Sequence, residues 1–277
     1  MIKTFLRKYL SKNYPDILAT FRVARRTWRI RRQKSQISPH GFKLTTLLAD
    51  LGTYETKEIA FIKPHLEKAD VLIDVGANVG LYTCMALSLG KYVVAIEPLL
   101  WNLGYLYFNL KENGWHSNLE VHPVGVSKQP GLAEFYGSGM SASLLKGWAE
   151  EFNAIDSSEP ESQMTSISTL DILVGNRFAG KNLVVKMDVE GAEYEVLSGA
   201  TLLLSMSPRP VWMVEIFSTQ HHPESFNPHF AQLFELFWHY GYQAQDMDGN
   251  RINPDQVKKW VMNRETVANS NFIFQSS

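Results

Sequence analysis

The chain has 277 residues, 45% of them apolar and 20% charged, with a formal net charge of −1. That length can bury a substantial core, and the composition suits a globular protein rather than a disordered or fibrous one. No apolar run approaches the roughly 18 to 20 residues of a membrane-spanning helix, and one cysteine, Cys84, excludes an internal disulfide and points to a reducing, cytoplasmic setting.

The first residues lack a clean apolar stretch with a small-residue cleavage site, so no secretory signal is expected. Residues 1–34 hold eleven Lys or Arg against one acid, Asp16, which leaves the rest of the chain strongly acidic. Ile17, Leu18, Phe21, Ala24 and Trp28 recur at helical spacing between the arginines, the pattern of a basic amphipathic helix. Such an arm packs on the acidic body or on a second subunit, or it rests on an anionic membrane at the inner surface. Nothing beyond charge favours nucleic acid. "SPHG", residues 38–41, breaks the pattern, so an arm over 1–40 and a domain over 41–277 are expected.

Beyond it, strands are predicted at 71–76, 93–97, 119–126, 183–188, 211–217, 242–246 and 271–274. Helices are predicted at 79–89, 100–113, 192–204 and 228–240. Helices between short β-branched strands imply right-handed crossovers and an α/β fold, a parallel sheet covered on both faces. "NFIF" at the end follows no long helix and can insert antiparallel. Residues 153–166 are polar and contain proline, and read as a surface loop. Cys84 sits in an apolar helical run and reads as a core thiol, and the aromatics of "FAQLFELFWHYGY" as core.

The chemistry starts at "VLIDVGANVGLYT", residues 71–83. Open parallel sheets bind ligands beyond the carboxyl ends of their strands. Gly76 and Gly80 let backbone approach a ligand, and the helix start adds unpaired N–H groups. A dinucleotide fingerprint needs G-x-G-x-x-G, whereas Asn78 holds the middle position here and leaves a pyrophosphate less room. Glu97, at the tip of the next strand, is placed to accept the hydroxyls of a ribose. Gly76, Gly80 and Glu97 together describe an adenosine-type ligand without a pyrophosphate cradle.

"IDVGANVGLYT", "AIEP", "STLDIL", "KMDVEGAEYEVLSGA" and "MVEIF" resemble, in this order, the FkbM family of S-adenosylmethionine-dependent methyltransferases. The resemblance covers about residues 50 to 275 and not the basic arm. It implies the class I methyltransferase (Rossmann-like) fold, a three-layer sandwich around a seven-stranded, mostly parallel sheet with one antiparallel strand. It implies S-adenosyl-L-methionine as cofactor and O-methylation of a hydroxyl on a sugar or natural product. Carried onto this chain, Asp74, Gly76, Asn78 and Gly80 would surround the methionine part of the cofactor and Glu97 would hold its ribose. Tyr54 and Glu55 precede the first strand where such proteins close over the cofactor, although Tyr54 reads equally as a packing aromatic. Ser141 or Ser143, in "GSGMSAS", would line the adenine side unless that stretch is a simple loop.

On the acceptor side, Asp188 and Glu190 point the same way if their strand persists, and would orient a hydroxyl and accept its proton. Glu193 falls in a first helical turn, where a carboxylate favours the helix dipole, and Lys186 is placed to pair with a carboxylate. Glu215 ends the next strand, and His221 and His222 follow on its loop, with His222 the candidate base near neutral pH. Asp188, Glu190, Glu215 and a histidine are compatible with a divalent ion, but the resemblance requires no metal. The expected acceptor is a sugar, glycan or glycolipid-precursor hydroxyl, with a polyketide-like molecule as alternative. A nicotinamide-linked oxidoreductase is disfavoured by Asn78, and a non-catalytic cofactor binder is the remaining rival. An oligomer is compatible with the arm.

Overall fold

The computed structural model describes residue 30 and residues 35–46, 54–136, 143–144, 162–219, 222 and 225–276. Of the arm expected over 1–40, residues 1–34 apart from a buried Ile30 lie outside these residues, as do Ser141 and His221.

In chain order the elements are β1 (Gln36–Ile37), β2 (Lys43–Leu44), α1 (Thr56–Lys68), β3 (Val71–Val75), α2 (Leu81–Ser88), β4 (Tyr92–Ile96), α3 (Leu100–Glu112), β5 (Leu119–His122), β6 (Gly125–Val126), β7 (Gly131–Tyr136) and β8 (Ser162–Ser168). There follow α4 (Leu170–Leu173), β9 (Leu183–Met187), α5 (Glu193–Ser198), α6 (Thr201–Leu204), β10 (Val211–Glu215), α7 (Phe230–His239), β11 (Tyr242–Asp246), β12 (Arg251–Ile252), α8 (Pro254–Asn263) and β13 (Asn271–Ser276).

The main sheet has the order β12-β11-β13-β10-β9-β3-β4-β5. Strands β5, β4, β3, β9 and β10 run parallel, and β13 inserts antiparallel between β10 and β11. The seven expected strands are joined by an eighth, the two-residue β12 at the edge. Every residue of β3 is buried, as a strand covered on both faces must be. Its period of two divides the core: Val71, Ile73 and Val75 pack with α5 and α7, while Leu72 packs with α2 and α3. Phe230, Leu233, Phe234 and Phe237 of α7 are core residues, and Cys84 is fully buried in α2.

Several expectations change. The strand expected over 119–126 is cut by Pro123, which offers no N–H to a ladder; β5 joins the main sheet and β6 a second, three-stranded sheet of order β6-β8-β7. Residues 162–166, read as loop, belong to β8, which pairs antiparallel with β7 in the register Gly131↔Ile167 to Tyr136↔Ser162. The helix expected over 192–204 is two short helices, α5 and α6. Residues 38–41, read as a boundary, turn the β1–β2 hairpin. That hairpin is fastened to α3, with Lys43 N–H donating to Asn113 Oδ1 at 2.8 Å and Thr45 N–H to Asn109 Oδ1 at 2.7 Å.

Candidate active site

Because β3 pairs with β4 on one side and β9 on the other, the strand order reverses beside it, where open α/β sheets place ligands. A cleft of about 560 Å³ opens there, lined by Gly76, Asn78, Glu97, Asn102, Asp188 and Glu190, with an apolar end at Leu99, Val126, Phe135 and Leu144. A second space of about 440 Å³ adjoins it, lined by Tyr54, Glu55, Asn78, Tyr82, Lys186 and Asp188. Gly76, Asn78 and Asp188 line both.

Gly76 is glycine for a reason of contact. Its φ is +79°, and a Cβ there would lie 1.9 Å from the carbonyl oxygen of Asp188. The turn after β3 thus packs backbone to backbone on the loop after β9, and Asp188 N–H donates to Val75 O at 3.0 Å. Gly80 lines neither cleft: its φ is +93°, and a Cβ would meet Leu106 Cδ1 at 2.5 Å, so its role is to let α2 pack on α3. Asp74 also lines neither cleft. One residue inside the strand, it faces α2 and accepts from Thr83 Oγ1 at 2.5 Å; burial pushes its carboxyl up to about 6.

Asn78 has the left-handed φ of +52°, which asparagine tolerates better than most residues. Its N–H donates to Glu97 Oε2 at 2.8 Å. Glu97 Oε1 accepts from Leu99 N–H at 2.9 Å and from Asn102 Nδ2 at 3.2 Å. A carboxylate has about four lone-pair sites, so roughly one remains for a ribose hydroxyl. Burial pushes Glu97 up to about 7 against these three donors. The Oδ1 of Asn78 is buried with no protein partner, at the junction of the two clefts. An acceptor left in that state costs about 1–3 kcal/mol, and a ligand donor such as an α-ammonium group relieves it. An acid at a strand tip, this acceptor and an apolar far end fit an adenosine-bearing amino acid.

The second space is a buried ionisable cluster. The Lys186 ammonium lies 3.6 Å from Asp188 Oδ2, with a side chain only 4% exposed, and 5.5 Å from the centre of the Tyr82 ring. Burial works against its charge, but Asp188, Glu215, Glu55 and Asp74 together raise its pKa above the ordinary lysine value. Tyr82 OH donates to Glu55 Oε2. Burial raises Glu55, and Lys186, Tyr82 and Tyr54 oppose the rise; burial and the Glu55 carboxyl raise both Tyr54 and Tyr82.

The strand carrying Asp188 ends at Met187 and Glu190 has φ +56°, so the two acids share the cleft through the loop's turn and not through strand alternation. Ser143, fully buried, donates from Oγ to Glu190 O at 2.5 Å. Glu193 is buried, accepts from Gly191 N–H at 3.1 Å and is pushed up to about 7 by that burial, a structural place. His222 is buried behind the β10 loop and lines neither cleft. Sequence reasoning gave Tyr82 no part because an aromatic in an apolar helix reads as core. Asn102 likewise carried no signal.

The strand order, with a reversed strand beside β10, and a cleft at the ends of β3, β4 and β9 define a class I methyltransferase. Within that class the chain belongs to the FkbM methyltransferase domain family, which matches residues 74–244. That family's cofactor is S-adenosylmethionine, and the residues above fit it. A relative, the hexuronic acid methyltransferase AglP of Haloferax volcanii, is 34% identical over 151 residues, 53% of this chain and 56% of that protein. The chain therefore matches little more than half of that relative's length. Among solved structures, an O-methyltransferase from Bacillus cereus in complex with SAH aligns over 99% of this chain and 98% of that one, at 11% identity and a TM-score of 0.44. The N-terminal domain of EvdMO1, in the presence of SAH and D-fucose, aligns over 93% and 97%, at 12% identity and a TM-score of 0.44. No described helix is long and apolar enough to cross a membrane.

Proposed function

We propose that this chain transfers a methyl group from S-adenosylmethionine to an oxygen of a sugar, a sugar acid or a glycan containing one. The observation that carries the reading is the place of Asp188, on the wall of both clefts where they meet. When bound, the cofactor supplies a methyl group on a sulfonium, whose departure needs no acid. The chain's part is to hold the acceptor oxygen in line at a near-attack distance and to take its proton. Asp188 does the second, its carboxylate fixed by Lys186 at 3.6 Å; Glu190 borders the same space from the β9 loop and orients the acceptor. Tyr54 and Glu55 close the cluster from the N-terminal side. The sugar assignment draws support from the hexuronic acid methyltransferase to which the chain is similar.

Isothermal titration with S-adenosylmethionine and S-adenosylhomocysteine tests cofactor binding, and methyl transfer to a panel of hexuronic acids and glycans tests the rest. Asp188→Asn should bind both cofactor forms within about threefold of wild type while turnover falls about 10²- to 10⁴-fold, the span general-base catalysis supplies. A folded wild-type protein that binds neither form refutes the proposal. The arm, with its eleven basic residues, is assigned contact with anionic membrane. Equal co-sedimentation with anionic vesicles by the whole chain and by one lacking residues 1–34 would dismiss that contact.

A further inference from the structure

Glu215 is a half-buried carboxyl that the reading above leaves without a task. It ends β10, whose Val214 is in register with Met187 of β9, so Glu215 and Asp188 leave neighbouring parallel strands side by side, close enough for their charges to act on each other. On its other side Ser270 Oγ donates to Glu215 Oε1 at 3.2 Å, and β13 covers it through the pairing with Asn271. Asp188 is itself paired with the Lys186 ammonium at 3.6 Å.

We propose that Glu215 is a positioning residue for Asp188: its carboxyl donates a hydrogen bond to the Asp188 carboxylate while Lys186 grips that carboxylate from the β9 side. Two half-buried carboxyls on adjacent strand ends, served by one ammonium, favour the state in which one of them keeps its proton. The proton stays on Glu215, which burial, the Asp188 charge and the Glu190 charge favour against the Lys186 ammonium and the Ser270 hydroxyl. From the N-terminal side Tyr54 faces the same group, and as a neutral phenol it adds no charge. Asp188 is left as the acceptor of the substrate proton, with its orientation fixed at the wall of the clefts it lines. The inference rests on the function proposed above and deepens its proton-accepting step.

Glutamine at this position keeps the shape and the hydrogen-bond donor but cannot ionise, so Glu215→Gln and Glu215→Ala separate the alternatives. Melting temperature is measured from pH 5 to pH 9 for wild type and both variants, and S-adenosylhomocysteine affinity at neutral pH. Glu215→Gln should melt within about 2 °C of wild type at pH 6 and overtake it as pH rises, because above the ordinary carboxylate value the unfolded chain releases this proton while the folded one holds it, and wild type loses stability accordingly. Glu215→Ala should melt lower at pH 6, and both variants should bind S-adenosylhomocysteine within about threefold of wild type. With a methyl acceptor in hand, turnover in Glu215→Gln should stay within about threefold of wild type while Glu215→Ala loses at least tenfold. A Glu215→Gln protein that unfolds or melts as low as Glu215→Ala at pH 6, or that never overtakes wild type at high pH, overturns the inference. Failure of wild type to bind S-adenosylhomocysteine instead strikes the methyltransferase reading, so the two failures are told apart.

Discussion

Lys186→Met is the most exacting test of the buried cluster. Methionine keeps much of the side chain's length and apolar stem but removes the one ammonium facing Asp188, Glu215, Glu55 and Asp74. At 3.6 Å from Asp188 and an effective dielectric of about 20, the ion pair alone has a Coulomb energy of about 5 kcal/mol. Part of that offsets the desolvation of both groups, and removing one partner of a buried pair costs about 3–5 kcal/mol. For a domain of this size that is a fall in melting temperature of about 6–20 °C. The loss should depend on pH in one direction. Glu215 and Glu55 hold their protons above the usual carboxylate value, so their stabilising contribution is full below that value and is lost as pH rises through the raised one. Without Lys186 both rise further, so the variant should lag wild type more at pH 8 than at pH 5. Adding Asp188→Asn removes the stranded charge and should recover at least about 2 kcal/mol in a double-mutant cycle. Urea melts at the two pH values measure all of this. A loss below about 1 kcal/mol, a pH-independent loss, or additive single mutants would show that the cluster is not organised around Lys186.

Gly76→Ala places a methyl 1.9 Å from the Asp188 carbonyl oxygen at φ +79°; left-handed strain of about 1–2 kcal/mol and overpacking of about 1–3 kcal/mol should appear in urea melts with clear loss of S-adenosylhomocysteine binding. Gly80→Ala should destabilise comparably, yet leave that binding within about threefold, since Gly80 lines neither cleft. Glu97→Gln should weaken the cofactor about tenfold or more by calorimetry, the worth of a charged hydrogen bond. In wild type the affinity should rise as pH passes upward through about 7, where Glu97 ionises; a flat affinity from pH 5.5 to 8.5 would remove Glu97 from ribose recognition.

Much of the architecture is legible because the signals are local. β3 is an apolar run interrupted only by Asp74 and stopped by glycine, α2 is apolar and buried on every side, and α7 carries a buried face at helical period. β8 escaped because "SQMTSIS" earns its strand only from its partner β7, and no window of sequence contains both. α1 escaped because Thr56–Lys68 is weakly apolar and holds Pro64 within the helix. The same division runs through the site. Asp188 and Glu97 stand at strand tips and announce themselves. The protonation of Glu215 depends on which strand lies beside it, and the strong hold on Lys186 depends on four carboxyls brought in from β3, β9, β10 and the segment before α1. The FkbM resemblance implies a cofactor contact at Asp74, but one residue of register turns it to the α2 face, where it accepts from Thr83.

The two glycines of "GANVG" sharpen that point. In sequence they form one motif with one apparent purpose, room for a ligand. In the fold each is required by a different neighbour: Gly80 by the Leu106 side chain of α3, and Gly76 by the backbone of Asp188. The contact at Gly76 ties the turn after β3 to the loop that carries the proposed base, with Asp188 N–H returning a hydrogen bond to Val75 O. A displacement of either segment must move the other, because no side chain lies between them to absorb it. The turn that lines the proposed cofactor cleft therefore also sets where Asp188 would meet an acceptor, which is why a methyl group at residue 76 should damage binding and turnover together, and one at residue 80 only stability.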